Sequence, residues 1–516
     1  MGIMKKVITI FALGAVLYAV LPLFGKNYIP THDGEYHIIR IVEFAKMLGE
    51  GNIVPRWAPD LNSSYGIPIF EFHYPLPNYI GSFVRVFTRD AVYAFQASMG
   101  IGYIAVAAGA YLWLSALFGT VPALIGVIFA AFVPYLFVDM YVRGSIGEIW
   151  AMAFLFFAFY VAERKRFFWV AVSYGLLILS HNILAMLFTP LMFTYLLVRD
   201  RRAILWMAGG LGLSAFFWLP ALLESRYVVG LNTVNFREHF IEIHELLVPS
   251  WGTQFSGSGS LGNKISFQLG IAPILALLGA AWSQRRQKNK KIRQLFFLFT
   301  GILAVSVAFM LPVSRGIWEL VRPLQLVQYP WRLLSFVVPV SAFTAAFWVY
   351  NMKRKWLGVV FGIVAVVLAA AYSRPALYAP RNEAYYLSRP NFTDGTSSTG
   401  NSFSTIWTGW KTTRPEISYP VSGSYLDRNY QVQMHESGDV ALPILYFPGW
   451  KATLDGSEMA IDYQKDGTIH VAVPEGTHTV RAYFTETPIR KIADIISIVS
   501  LVVLAFYEYR NRHNPT

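Results

Sequence analysis

Long apolar runs alternate with short polar breaks along most of the chain, and several approach twenty residues, enough to cross a hydrocarbon core of roughly 30 Å at about 1.5 Å per residue. About twelve such windows can be drawn. The first spans 8–23, a pair at roughly 91–118 and 121–138 is joined by a short uncharged turn around Gly119, and the last covers about 492–507. The pattern changes over 373–490. There Tyr430-Gln431-Val432-Gln433-Met434 and Ile469-His470-Val471-Ala472-Val473 alternate with the period of a strand. Pro448-Gly449, Asp455-Gly456, Asp466-Gly467 and Glu475-Gly476 punctuate the region as hairpin turns do. The expectation is an all-α polytopic membrane protein of about twelve transmembrane helices with a small C-terminal β-rich domain. Its parts are a helical module at 1–372, the β-rich domain at 373–490, and a final helix with its tail at 491–516.

Composition supports the membrane class. Of 516 residues, 55% are hydrophobic and 14% charged, against roughly 25% charged in soluble domains. Many Trp and Tyr fall near the expected helix ends, where an amphipathic ring suits the headgroup region. With 0 cysteines, disulfides, thiolate metal sites and cysteine nucleophiles are excluded. No phosphate-cradling GxxxxGK[ST] stretch occurs, which argues against ATP-driven work by this chain alone.

The net charge of +13 is informative by placement and does not call for nucleic acid. Basic residues cluster at Lys5-Lys6, Arg164-Lys165-Arg166, Arg199 with Arg201-Arg202, 285–293, Lys353-Arg354-Lys355, and Arg510 with Arg512. The positive-inside rule then puts both termini in the cytoplasm of a cytoplasmic-membrane protein. The basic start resembles a signal peptide but is read as an anchor. Segments 24–90, 139–148, 221–265, 312–332 and 373–490 fall outside, and the chemistry is expected there.

The densest polar cluster follows the first helix: His32, Asp33, Glu35, His37 and Arg40. A carboxylate at a membrane exit could accept a proton from an attacking hydroxyl, or hold Mg2+ or Mn2+ against a phosphate with Asp33 and Glu35 as ligands. The plainer alternative is that Asp33 caps the next helix. Arg56 and a run of aromatics and prolines over 65–77 follow, suited to stacking a sugar or to lining the bilayer interface. Asp139, Arg143, Glu148 and His181 lie at helix ends, where ionisable groups are functional candidates, although His181 could simply be a satisfied helix-end residue. Residues 236–247 read as an amphipathic surface helix. Arg315, Arg322 and Arg332, with Tyr329, occupy one expected outer segment, against the charge trend. Such guanidinium groups suit a lipid phosphate, or snorkel to headgroups. Trp407, Trp410 and Trp450 are candidate sugar platforms or core residues.

His32-Asp33, His37, Arg40, Pro55-Arg56-Trp57 and the Gly66-to-Pro77 run together resemble bacterial and archaeal membrane proteins of the GT-C glycosyltransferase superfamily. The run Tyr446-Phe447-Pro448-Gly449-Trp450 with Val473-Pro474-Glu475-Gly476 and a closing helix looks like the end of YfhO-type membrane glycosyltransferases. Proteins of this look also carry a label related to 6-pyruvoyl-tetrahydropterin synthase, a soluble zinc enzyme, but no zinc triad is visible in the chain. The resemblance implies a polyprenyl-phosphate sugar donor, an acceptor that is a glycan, lipid or protein, and a catalytic acid in the first outer loop, matched by Asp33 and next by Glu35. Membrane lipids are the expected surroundings. The competing classes are a transporter or flippase of lipid-linked glycans, which calls for broken helices with charges at mid-membrane depth, and a non-catalytic envelope scaffold.

Overall fold

The computed structural model describes residues 2–25, 27–230, 234–257, 263–393, 395–408, 411–416 and 419–513. Among the described residues six helices are long and apolar enough to cross a membrane: Lys5–Phe24, Ala91–Phe118, Ile146–Glu163, Asn182–Arg199, Lys290–Met310 and Pro330–Tyr350. Two bent pairs raise the number to eight, Thr120–Ala131 with Pro134–Arg143 at 48° and Arg201–Leu213 with Ala215–Leu223 at 69°. The other expected spans coincide with helices that are shorter or more charged, Phe167–Ser180, Ile271–Ser283, Leu357–Tyr372 and Pro488–His513. Among the described residues six to eight segments thus have the length and apolarity of a span, which does not confirm the expected dozen.

Local chemistry explains the breaks. Gly119 adopts φ 79°, a conformation closed to most side chains, and turns the chain between Ala91–Phe118 and Thr120–Ala131. The expected helix over 121–138 is interrupted because Val133, preceding Pro134, is driven to an extended conformation. The expected amphipathic helix over 236–247 is also not continuous. A single turn at Phe236–Glu238 is followed by extended chain, where the Ile241 amide bonds to the Met310 carbonyl at 3.1 Å. Helix resumes at Ile243–Leu247 through a reciprocal Glu242/Glu245 capping box.

Aromatic packing fills the middle of the bundle. Trp113 stacks against Phe156 and Phe343 and donates to the Tyr195 hydroxyl at 2.8 Å. At one end the basic segments meet: Lys291 reaches the Arg199 carbonyl, and Arg199 pairs with Glu163. At the other end the segments expected to lie outside converge. Tyr28 bridges Ala379, His32 reaches Thr253, Val228 bridges Thr405, and Arg85 pairs with Glu383.

The strands occupy 421–484, preceded by short helical turns and bends. They are β1 (Val421–Ser424), β2 (Asp427–Met434), β3 (Gly438–Leu445), β4 (Trp450–Leu454), β5 (Ser457–Met459), β6 (Thr468–Val473) and β7 (Gly476–Phe484). They form a five-stranded antiparallel sheet in the order β1-β2-β7-β4-β5 and a β3-β6 pair. Alternate residues Tyr430, Val432, Ile469, Val471 and Val473 are buried, as the period of two requires. Asp455-Gly456, both at positive φ, make the two-residue turn between β4 and β5.

Candidate functional site

A cavity of about 180 Å³ opens at the end of the bundle that carries the strands. Its walls come from distant parts of the chain. Asp33, Tyr36, His37 and Arg40 enter from the start of the helix Gly34–Gly49, and Phe72, His73 and Tyr74 from the aromatic segment. Arg143 and Ser145 come from a helix break, His181 and Asn182 from a helix junction, and Gln328, Tyr329 and Arg332 from the bend before Val337–Tyr350. Ser398, Thr399, Ser402 and Phe403 close it from the Ser/Thr-rich stretch ahead of the strands.

Two glycines allow this closeness. Gly144 sits at φ 72°, and a Cβ there would lie 2.3 Å from the Thr31 hydroxyl. Its absence lets the chain 31–33 lie against the break, with the His32 and Asp33 amides donating to the Val142 and Arg143 carbonyls at 2.9 and 2.8 Å. A Cβ on Gly147 would meet the Tyr74 ring at 2.5 Å and the Ser180 carbonyl at 2.6 Å.

Asp33 stands at the N-cap position of Gly34–Gly49, yet its side chain makes no capping bond. The capping role allowed by the sequence is not the one adopted. Among the described residues its carboxylate has no partner within bonding distance, while its charge acts on Arg40, Tyr74 and Tyr329. Beneath the cavity, fully buried Glu148 faces Arg143 Nη2 at 2.7 Å, Arg332 Nε at 3.0 Å and His181 Nε2 at 3.9 Å, and accepts from the Tyr135 hydroxyl at 2.8 Å. Asp139 holds the other arm of Arg143 at 2.5 Å. Asp139–Arg143 form a π-helical turn, which turns both side chains inward. His181 Nδ1 accepts from the Leu184 amide at 3.2 Å, leaving its proton on Nε2. It is thus both a satisfied helix cap and a cavity wall.

Burial, reinforced by the Arg40 charge, holds His37 and His73 well below the usual imidazole range, so both are neutral at physiological pH. Burial also raises the Tyr74 and Tyr329 phenols. Beside the cavity lies an apolar groove of about 590 Å³, formed by Met186–Leu191, Phe297–Phe309, Trp318 and the 323–336 stretch. Val327 and Leu333 of the groove flank Gln328, Tyr329 and Arg332 of the cavity, so the two share a wall.

Of the residues singled out in the sequence, Asp33, His37, Arg40, Arg143, His181, Tyr329 and Arg332 line one cavity, with Glu148 behind them. Four others stand apart. His32 stacks on Phe255 and bonds to the Thr253 carbonyl. Glu35 pairs with Arg381 at 2.5 Å. Arg56 is buried against Glu71, Glu486 and Asp494. Arg322 is exposed on the short helix Arg322–Gln325. Trp450 is buried against Trp57 and Phe484, Trp407 packs on Tyr463, and Trp410 lies outside the described residues. His73, Tyr74, Asn182 and the 398–403 strip complete the site. The Ser/Thr run 396–399 between two glycines was the available signal for the strip.

Among the described residues no three His, Cys, Asp or Glu side chains group to hold a metal ion. The cavity offers a divalent cation one carboxylate facing three guanidinium groups, whereas Mg2+ favours several oxygen ligands. These residues are a poor fit for that ion.

Fold and site together define a polytopic membrane protein with a polar, arginine-lined cavity at one end of its helices. A family model described as a 6-pyruvoyl-tetrahydropterin synthase related domain, membrane protein, matches residues 70–378, and the chain belongs to that family. An uncharacterised protein of Lactococcus lactis subsp. cremoris (strain MG1363) is 22% identical over 244 residues, covering 41% of this chain and 39% of that one. The match thus spans well under half of that relative's length. Among solved structures, the arabinofuranosyltransferase AftD from Mycobacteria is similar with a TM-score of 0.43 and 12% identity, over 72% of this chain and 26% of AftD. A point-mutant structure of AftD gives a TM-score of 0.44 and 18% identity, over 72% and 27% of the two chains.

Proposed function

We propose that this protein transfers a sugar from a polyprenyl-phosphate donor to an extracytoplasmic acceptor, a glycan, lipid or protein, with inversion at the anomeric carbon. The observation that carries the reading is the junction of two unlike surfaces. One holds a partnerless carboxylate among arginines, and the other is an apolar groove sharing its wall. A polar head with an anionic link and a long hydrocarbon tail matches both at once. The resemblance of residues 32–77 to GT-C glycosyltransferases supports the same donor class.

In the proposed step the acceptor oxygen attacks the anomeric carbon and its proton passes to Asp33. The bond from that carbon to the phosphate oxygen breaks, its electron pair leaves with polyprenyl phosphate, and the arginine-lined wall stabilises the departing charge. A phosphate leaving group needs little protonation, so one carboxylate suffices where glycosidases use two. The step runs without a metal ion.

The bent pair bearing Asp139 and Arg143 favours one other reading, a flippase of lipid-linked glycans. One experiment separates the two. Purified protein in lipid nanodiscs is given a panel of polyprenyl-phosphate sugars and acceptors, and release of polyprenyl phosphate is followed for wild type and Asp33→Asn. Release by wild type and its loss in a folded Asp33→Asn supports the transferase. Undiminished release by the variant removes Asp33 from the chemistry, and no release with any donor shifts the assignment to transport.

A further inference from the structure

The three arginines of the cavity are not equivalent. Arg143 and Arg332 are both answered by Glu148, and Arg143 also by Asp139. Arg40 is only 7% exposed, and among the described residues no carboxylate lies within ion-pair distance of it. Its Nη1 donates to His73 Nε2 at 2.7 Å, its Nη2 donates to the Ser397 carbonyl, and its Nε has no partner. Both partners are neutral acceptors, because an imidazole nitrogen that accepts from a guanidinium carries no proton. They aim the group without cancelling its charge.

His37 lies three residues earlier on the same helix face, only 3% exposed, with its Nδ1 also unpartnered. Its ring is held parallel to Phe95, 5.8 Å between centroids, and 5.7 Å from the His73 ring. Both side chains line one cavity, each keeps a buried nitrogen without a partner among the described residues, and Arg40 has no carboxylate in contact. Each is costly as it stands, since buried donors and charges ordinarily find partners. An anion entering the cavity satisfies both.

We propose that Arg40 and His37 form the seat of the donor's phosphate, and that Arg143 and Arg332, already paired with Asp139 and Glu148, shape another wall. This rests on the lipid-phosphate reading of the cavity, and it moves the phosphate away from Arg332, where the sequence alone suggested it. The guanidinium offers fixed donors to phosphate oxygens, and the neutral imidazole adds one more without like-charge repulsion.

The test is binding of polyprenyl monophosphate to the full chain in nanodiscs, with inorganic phosphate as the second arm and thermal unfolding as the check on folding. Arg40→Gln is expected to weaken polyprenyl phosphate binding about 10- to 100-fold, the range for losing a charge-assisted hydrogen bond. Arg40→Lys keeps the charge and loses the fork, and His37→Phe keeps the packing and loses the donor. Each is expected to weaken binding about 5- to 20-fold, so the proposal stays testable if Arg40→Gln misfolds. Arg322→Gln, exposed on Arg322–Gln325 and outside the cavity, is expected to change it less than about threefold. Unchanged affinity in folded Arg40→Lys and His37→Phe, or an equal loss in Arg322→Gln, overturns this assignment and leaves the transferase reading standing. Inorganic phosphate binding as tightly as the lipid overturns the lipid source. Failure of wild type to bind polyprenyl phosphate overturns both readings.

Discussion

Glu148 serves two guanidinium groups and a tyrosine from complete burial, so its removal would leave Arg332 without a carboxylate and close to Arg143. Breaking a buried ion pair on one side costs about 3–5 kcal/mol. Glu148→Gln is therefore expected to lower the melting temperature in nanodiscs by several degrees, whereas Asp33→Asn, which breaks no bond, should leave it within about a degree. Equal melting temperatures for the two variants would refute the division between scaffold and chemistry. The sequence made much of this cavity legible, because ionisable groups at helix ends are expensive and so stand out. Their partners were not legible. Glu35, two residues after Asp33, stood as the second choice for the same role, and only the fold shows Arg381, 346 residues on, already holding it. His73 and Tyr74 were hidden in a run of aromatics that a bilayer collar explains equally well.

At the scale of elements, Arg56 and Arg490 fasten the aromatic segment to the final helix. Glu71 of Ile69–Phe72 lies 3.2 Å from Arg56 and 3.3 Å from Arg490, Arg490 reaches Glu224 at 2.7 Å, and Arg56 reaches Glu486 and Asp494 at 3.2 and 3.3 Å. Two cations thus face four carboxylates. Burial pushes Glu71 up to about 7, Arg490 and Arg56 pull it back, and Glu224 and Glu486 add to the rise. A carboxyl raised in the folded state holds its proton there while the unfolded chain releases it. Its stabilisation is complete below the ordinary value of 4.5 and is lost as pH rises through about 7. Glu71→Gln is expected to flatten the decline in melting temperature between pH 5 and pH 8, and a slope identical to wild type would rule out Glu71 as its source. The clasp matters to the site because Phe72, His73 and Tyr74 follow Glu71 directly. The sequence showed where helices start and stop when a glycine or charge cluster marked the place, as at Gly119. It did not show the interruption within 236–247, which depends on a carbonyl from Met310 far along the chain.

At the scale of the whole molecule, charge alternation along the chain and convergence in space agree. The segments 24–90, 139–148, 221–265 and 373–490 contribute to one end, while Glu163, Arg199 and Lys291 meet at the other. The family match over 70–378 starts after Asp33, His37 and Arg40 and stops before the strands, so the cavity is built partly from chain on either side of it. The basic residues predict which end faces the cytoplasm, since segments such as Lys353-Arg354-Lys355 resist translocation. The chain has 0 cysteines, so single introduced thiols report sidedness without background. Glu458→Cys, exposed on β5, is expected to react with a membrane-impermeant maleimide in intact cells. Arg354→Cys, exposed between Val337–Tyr350 and Leu357–Ala369, should react only after permeabilisation. The reverse pattern would place Asp33 and its cavity in the cytoplasm, where nucleotide-sugars are the accessible donors. Only the apolar groove would then favour a lipid-linked donor.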